Sequence, residues 1–541
     1  MSFSRRVAAA AATLAALVVT VSVTACSPAS PATSPPPTSS SSASSGNADA
    51  GGTASGNAAG GSGGIIPVAS TLHWASCGGS LPGLECATLQ VPLNYADPSG
   101  RTITLALSMA PATAQKSQQQ GVLLVNPGGP GAPGRSLAGA VAAGLNPQVA
   151  AEYDIVGFDP RGVGASVPAL SCDPSFFSGD RPDYIPANQA AEQVLIARAK
   201  MYAAGCEERF GWLLPYMTTA DVARDMDSIR QAFGVSKVNY YAFSYGTYLG
   251  QVYATMFPDR VRRMVLDSTV DPTGVWYQDN IDQDYSFQRA QDDFYAWVAR
   301  NDATYHLGTT EAAVQAAWYE ARDRLKAHPI QGPNGPLIGP DEFDDTFTQG
   351  DYLNTLWPGL ATALSEYVNN GSTSALMSQY EENGVQDENL FAVYNAVQCS
   401  DVNWPRNWSK WQSDTERVYQ AAPFEAWDNA WFNAACAFWP VQGPATPMRI
   451  KGAGLPPILM LQGTLDPATP YAGAQDAHKL LPSARMVVVE GGGNHGQSLE
   501  SPSNTCVEDY LNSYLATGAL PEHPGLVNAT CPAVPDPAPG G

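Results

Sequence analysis

A single residue, Ser244, separates the strand-like run Val238 to Phe243 from a helix-compatible stretch, Tyr245 to Met256. A connection that short leaves no loop, so strand and helix must fold back on each other at the serine itself. Only small side chains fit where the two nearly touch. The residues two before and two after the serine are Ala242 and Gly246. The usual form of this turn is G-x-S-x-G, which lifts a serine hydroxyl above the carboxyl edge of a parallel sheet. Ala242 replaces the first glycine, a departure of one methyl group.

The flanking sequence supplies the sheet that such a turn requires. Gly121 to Val125 and Tyr153 to Phe158 are short continuous apolar runs of the kind buried in parallel sheets. Val261 to Leu266, Pro457 to Gln462 and Met486 to Val489 repeat the pattern, the last of them read as the final strand. A hairpin around Ala96-Asp-Pro-Ser-Gly100 precedes the runs. Helical stretches fall between them: Thr219 to Phe233, capped by Thr218 or Thr219 and closed by Gly234, and Ala472 to Leu480. A late helix covers Cys506 to Leu515. Strands alternating with helices predict a mostly parallel α/β sheet. The alternation is lost from Asp271 to Pro444, where Asp282 to Arg300 and Glu311 to Ala327 read as helices. The expected organisation is a mainly helical cap, 271–444, inserted between two parts of a core, 65–270 and 445–541. A separate second domain is the alternative, and the return of strands after the block favours insertion.

A serine hydroxyl is a weak nucleophile and needs a base, which in turn needs an acid to orient it. On this fold the partners follow in the order serine, acid, histidine. Asp466 ends the run Gln462-Gly-Thr-Leu-Asp466, at a strand's carboxyl end, and His495 lies in the glycine-rich loop Gly492-Gly-Asn-His-Gly496. Of the other histidines, His73 precedes the serine, His306 and His328 fall in the cap, His478 lies on a helix and His523 in a proline-flanked tail. The oxyanion needs two donors: the backbone N–H of Tyr245, and one from the loop Asn126-Pro-Gly-Gly-Pro-Gly131. That loop also holds a G-x-G-x-x-G match, Gly129 to Gly134, but its prolines remove amides that a pyrophosphate would need. Neither a P-loop nor H-E-x-x-H occurs, so no cofactor and no metal are expected.

Three segments carry a specific resemblance: Asn126-Pro-Gly-Gly-Pro-Gly131, Phe158-Asp-Pro-Arg-Gly-Val-Gly-Ala-Ser166 and Ser244-Tyr-Gly-Thr-Tyr-Leu-Gly250. Together they resemble the secreted tripeptidyl aminopeptidases of actinomycetes, relatives of the prolyl iminopeptidases, over roughly Trp74 to Pro532. The resemblance implies an α/β-hydrolase fold, Gly129 as the second oxyanion donor, and cleavage of short peptides from a free N-terminus held by carboxylates. Candidates for those carboxylates are Glu207 and Glu208, beside Cys206, and Asp401, close to Cys399. An esterase or lipase-like hydrolase is the nearest alternative, because the same triad serves esters. A catalytically silent peptide-binding lipoprotein is a third.

The N-terminal residues read as an export signal. Arg5 and Arg6 precede an Ala- and Val-rich run from Val7 to Val23, and Val23-Thr-Ala-Cys26 resembles a bacterial lipobox. Residues 1–25 are thus expected as a signal peptide, Cys26 as the lipidation site, and 26–64 as a disordered Ser/Pro/Gly tether. Exported chains meet an oxidising environment. The eight remaining cysteines, Cys77, Cys86, Cys172, Cys206, Cys399, Cys436, Cys506 and Cys531, are therefore candidate disulfides, paired most simply as sequential neighbours. A net charge of −22 with no basic stripe argues against nucleic acid. The expected partners are peptide substrates, with membrane contact through the lipid alone.

Overall fold

The computed structural model describes residues 72–178, 181–332, 335–384 and 387–540. The expected signal peptide, Cys26 and the tether lie outside the described residues.

Ten strands form one sheet: β1 (Ala75–Ser76), β2 (Glu85–Pro92), β3 (Thr102–Ala110), β4 (Gly121–Asn126), β5 (Tyr153–Asp159), β6 (Val238–Phe243), β7 (Val261–Asp267), β10 (Ile458–Gly463), β11 (Ala484–Glu490) and β12 (Ala529–Pro532). A separate hairpin, β8 (Ile330–Gly332) and β9 (Gly335–Ile338), lies in the inserted block. The sheet order is β1-β2-β3-β5-β4-β6-β7-β10-β11-β12. The first three pairings are antiparallel and the rest parallel. From β4 the chain runs to β5 on one side and later to β6 on the other. The crevice beyond the carboxyl ends of β4 and β6 is therefore the switch point, where ligands bind in open α/β sheets.

Successive strand residues pack into different cores, as the pleat requires. Leu124, Tyr240 and Ala242 face one hydrophobic cluster, while Leu123, Val125, Tyr241 and Phe243 face another. The principal helices are α1 (Leu137–Gly144), α2 (Gln189–Phe210), α3 (Thr219–Ala232), α4 (Tyr245–Met256), α5 (Tyr277–Arg300), α6 (Glu311–Ala327), α7 (Pro340–Tyr352), α8 (Trp357–Asn370), α9 (Ser374–Asn383), α10 (Glu388–Asp401), α11 (Trp408–Tyr419), α12 (Ala426–Asn433), α13 (Tyr471–Leu480) and α14 (Thr505–Thr517). Thr218 caps α3, its hydroxyl accepting from the Asp221 N–H at 3.2 Å.

Two features depart from the sequence reading. Met486 to Val489 lies in β11, which is not the last strand, because β12 adds to its edge and is pinned to α14 by Cys506–Cys531. Four residues ending in proline carry too little periodicity to be read as a strand. The inserted block also divides. Its first part, α5 to α9, builds its own aromatic cluster around Phe294, Trp297, Trp318 and Phe347. Its second part packs Phe391, Trp404, Trp411 and Trp439 into the main sheet core. A second excursion, between β5 and α3, joins it. There α2 packs on Trp427 and Trp431, and Arg181 pairs with Glu342 at 2.6 Å and Asp345 at 2.7 Å on α7. The remaining bridges are Cys77–Cys86, Cys172–Cys206 and Cys399–Cys436, so all four join sequential neighbours.

The Phe158–Ser166 segment is structural in its detail. Asp159 accepts from the amides of Gly134, at 3.0 Å, and Ala165, at 2.9 Å. Arg161 is fully enclosed and bidentate on Asp225, at 2.7 and 2.8 Å, and donates to the carbonyls of Leu93 and Tyr216. These bonds hold the loops after β4 and β5 under the crevice.

Candidate active site

Ser244 is the residue between β6 and α4, at φ 57° and ψ −133°. A non-glycine residue there costs about 1–3 kcal/mol, which the surrounding contacts must supply. Its N–H donates to the Asp267 carbonyl at 3.1 Å, and the Thr247 hydroxyl donates to its carbonyl at 2.6 Å. A β-carbon at Gly246 would come within 2.8 Å of the Ala242 methyl and 2.7 Å of Asn126 Oδ1. The turn therefore tolerates a methyl group at 242 because none exists at 246. Gly128, at φ 101°, backs onto the serine, since a β-carbon there would meet Ser244 Cβ at 2.8 Å and Tyr245 N at 3.1 Å. Gly129 and Tyr245 both line the cavity that holds Ser244, Tyr245 at the first turn of α4, where unsatisfied N–H groups point outward.

Asp466 is buried just beyond β10 and is held by three bonds of 3.0 Å, from the amides of Ala468 and Thr469 and from the Thr469 hydroxyl. His495 Nδ1 lies 3.0 Å from Asp466 Oδ1 and 3.2 Å from Oδ2. The histidine loop is anchored to β7. Asp267 accepts from the amides of Gln497, at 2.9 Å, and Ser498, at 3.0 Å, and the Ser268 hydroxyl accepts from the Gly496 amide at 2.8 Å. It is also tied to the cap, where the His495 N–H donates to the Tyr352 carbonyl at 2.8 Å and Asn494 Oδ1 accepts from the Asn354 N–H at 2.9 Å. Asp267 was not singled out from sequence, although as a carboxylate closing an apolar strand beside the elbow it carried a readable signal.

Ser244 and His495 open into one cavity of about 630 Å³ between sheet and cap. Nine aspartates and glutamates line it, and no lysine or arginine among the described residues does. Glu207 and Glu208 are not among the nine. They stand exposed on the outer face of α2, because the buried face of that helix is taken by Tyr202, Ala203 and Cys206. Asp401 also misses the cavity. It sits one layer behind the wall, accepting from the Thr219 amide at 2.7 Å and from the indole of Trp276 at 3.3 Å, and Trp276 is the lining residue. Burial pushes its carboxyl up to about 7.

Among the carboxylates that face the cavity from the cap are Asp345, Glu425 and Asp428. Asp345 is neutralised by Arg181. Glu425 accepts from the Thr348 hydroxyl, and burial pushes its carboxyl up to about 8. Asp428 has no hydrogen-bond partner among the described residues, and burial followed by the charge of Glu425 raises it well above the ordinary range. Glu425 and Asp428 are three residues apart at the start of α12, so both project from one face. That spacing is the signal that could have found them.

The family defined by the α/β-hydrolase fold matches residues 121–501. The tripeptidyl aminopeptidase of Streptomyces lividans is 42% identical over 462 residues, 83% of this chain and 84% of the relative. Serine protease Hip1 of Mycobacterium tuberculosis is 32% identical, over 83% of this chain and 89% of the relative. Carboxylesterase B of the same species is 33% identical, over 84% and 89%.

The buried carboxyls set a pH dependence of stability. Asp267 and Asp401 stand at about 7, and Glu425 and Glu500 at about 8, against roughly 4 in an unfolded chain. A raised carboxyl contributes its full stability below the unfolded value and loses it as pH rises through the folded value. The free protein should therefore melt at a lower temperature at pH 8.5 than at pH 5.5 by differential scanning calorimetry. A melting temperature that rises over that interval would show that these groups are already ionised in the fold.

Proposed function

This chain belongs to the α/β-hydrolase family, and from that membership we propose that it is an exported serine exopeptidase releasing di- or tripeptides from free peptide N-termini. It is a serine hydrolase, and its peptidase relatives make peptides the first substrate class to consider. In the proposed reaction Ser244 Oγ attacks the scissile carbonyl while His495 takes its proton. Asp466 holds the imidazole in the required tautomer and stabilises its charged form. The oxyanion is received by the N–H groups of Tyr245 and Gly129. His495 then returns the proton to the leaving amine, an acyl-enzyme forms on Ser244, and water delivered through the same base hydrolyses it.

The observation that carries the exopeptidase reading is the pair Glu425 and Asp428. Two carboxyls forced close together in a cavity that no lysine or arginine among the described residues lines are costly to ionise. A substrate ammonium supplies the missing counter-charge. An uncharged ester gains nothing from that pair, although the esterase reading keeps the support of the relative named carboxylesterase B. The amine-holding role thus moves from Glu207, Glu208 and Asp401 to Glu425 and Asp428.

A free tripeptide amide should be cleaved on the order of a hundredfold faster than its N-acetylated copy, the equivalent of about 3 kcal/mol for a charge pair broken from one side. Glu425→Gln and Asp428→Asn should each narrow that gap by slowing only the free peptide, read as kcat/KM with both substrates at one pH. Equal rates for the two peptides would remove the amine from the account and favour the ester hydrolase.

Four disulfides accord with export. The lipobox-like Val23-Thr-Ala-Cys26 further supports a lipid-anchored protein facing the outside. Cys26→Ala should move activity from the membrane fraction to the soluble fraction with its specific value unchanged. Full membrane retention of the variant would reject the lipid anchor.

A further inference from the structure

The cavity carries a second set of carboxylates, at its open end. Asp271 follows β7, Asp279 and Asp282 lie on the first two turns of α5, and all three line the cavity that contains Ser244. Asp282 is exposed, and Asp271 and Asp279 are half-buried, whereas Glu425 is only 5% exposed. Through Asp282 the set reaches solvent.

The place is built rather than incidental. A β-carbon at Gly274 would fall 1.9 Å from Asp279 Oδ1, so only glycine leaves room for that carboxylate. A β-carbon at Gly473 would fall 2.7 Å from Asp271 Cβ, so α13 closes tightly on the other side. Asp271 already accepts from the Thr273 amide at 2.7 Å, and Asp282 from Gln278 at 2.8 Å. Neighbouring Asp476 is paired with Lys479. Asp279 differs: its Oδ2 is buried and has no hydrogen-bond partner among the described residues. Burial, then the charges of Asp271 and Asp282, push its carboxyl well above the ordinary range. A solvated acidic surface would leave neither a buried orphan oxygen nor a glycine-shaped seat for its partner.

We propose that Asp271, Asp279 and Asp282 bind a lysine or arginine side chain in the segment on the carboxyl side of the scissile bond. The assignment to that segment rests on the exopeptidase reading: with the amine at the closed end, the released polypeptide must leave through the open one. A cationic head group held among the three carboxylates offsets the repulsion among their like charges, which the sealed Oδ2 of Asp279 cannot shed to solvent.

The test uses the whole enzyme and peptides with one free N-terminal tripeptide followed by a leaving segment containing either lysine or glutamate. The lysine peptide should show a kcat/KM about tenfold or more above the glutamate peptide at low salt, and the ratio should fall as ionic strength rises. Asp279→Asn should bring the ratio toward one. Asp282→Asn, at an exposed position that tolerates substitution, should lower it in the same direction. A ratio near one in the wild type, or one untouched by both variants, overturns the proposal. An acetylated copy of the lysine peptide reports separately on the amine. Equal cleavage of free and acetylated copies overturns the exopeptidase reading, whereas indifference to the leaving segment alone overturns only this inference.

Discussion

The turn at Ser244 is the constraint on which the site depends. One residue in a left-handed conformation must join β6 to α4, and each neighbour is chosen by that demand. Gly246 and Gly128 vacate the space on either side of it, Asn126 fills what remains, and the Asp267 carbonyl accepts the serine N–H. The same Asp267 then uses its side chain to fix the loop that carries His495. Ser244 and His495, the proposed nucleophile and base, are thereby referenced to adjacent strands of one rigid sheet, which is how a fraction of an ångström can be held across a long chain. The cap enters through the Tyr352 carbonyl, so the element that closes the cavity also touches the backbone of the base.

In the proposed function electrostatics supplies selectivity where the elbow supplies chemistry. Isolated carboxyls inside a protein are expensive, and the usual remedy is an arginine, as Arg161 serves Asp225 and Arg181 serves Asp345. No lysine or arginine among the described residues lines the cavity beside Glu425, Asp428 and Asp279. Their cost is met by the rest of the fold, and under the proposed function it is recovered when a cation arrives, which would reserve binding energy for substrates that bring charge to the right place. The net charge of −22 extends the same bias over the surface and favours the approach of cations.

Much of this was legible in the sequence because it is written in short range. The apolar runs of β4, β5, β6 and β7 and the one-residue turn declare themselves within a few positions. Serine, acid and histidine then follow in the only order this fold allows. The pairing of cysteines as neighbours followed from chain proximity. What stayed hidden depends on facing. Glu207 and Glu208 sit beside a disulfide as anticipated, but the helix turns them to solvent, while Glu425 and Asp428 offer only their three-residue spacing, which shares a face without saying where that face points. Their place in the site comes from α7 and α12 packing around one cavity, a fact of tertiary structure. The excursion between β5 and α3 was likewise read as core because nothing local shows that Arg181 will reach across to α7.

The most direct measurement is mass spectrometry of the intact enzyme after brief treatment with a small fluorophosphonate, followed by peptide mapping. An activated serine held at the elbow predicts one covalent adduct per chain, located on Ser244, with labelling slowed by several powers of ten in His495→Ala. An adduct on another serine, or labelling of Ser244 that proceeds equally well without His495, would contradict the account.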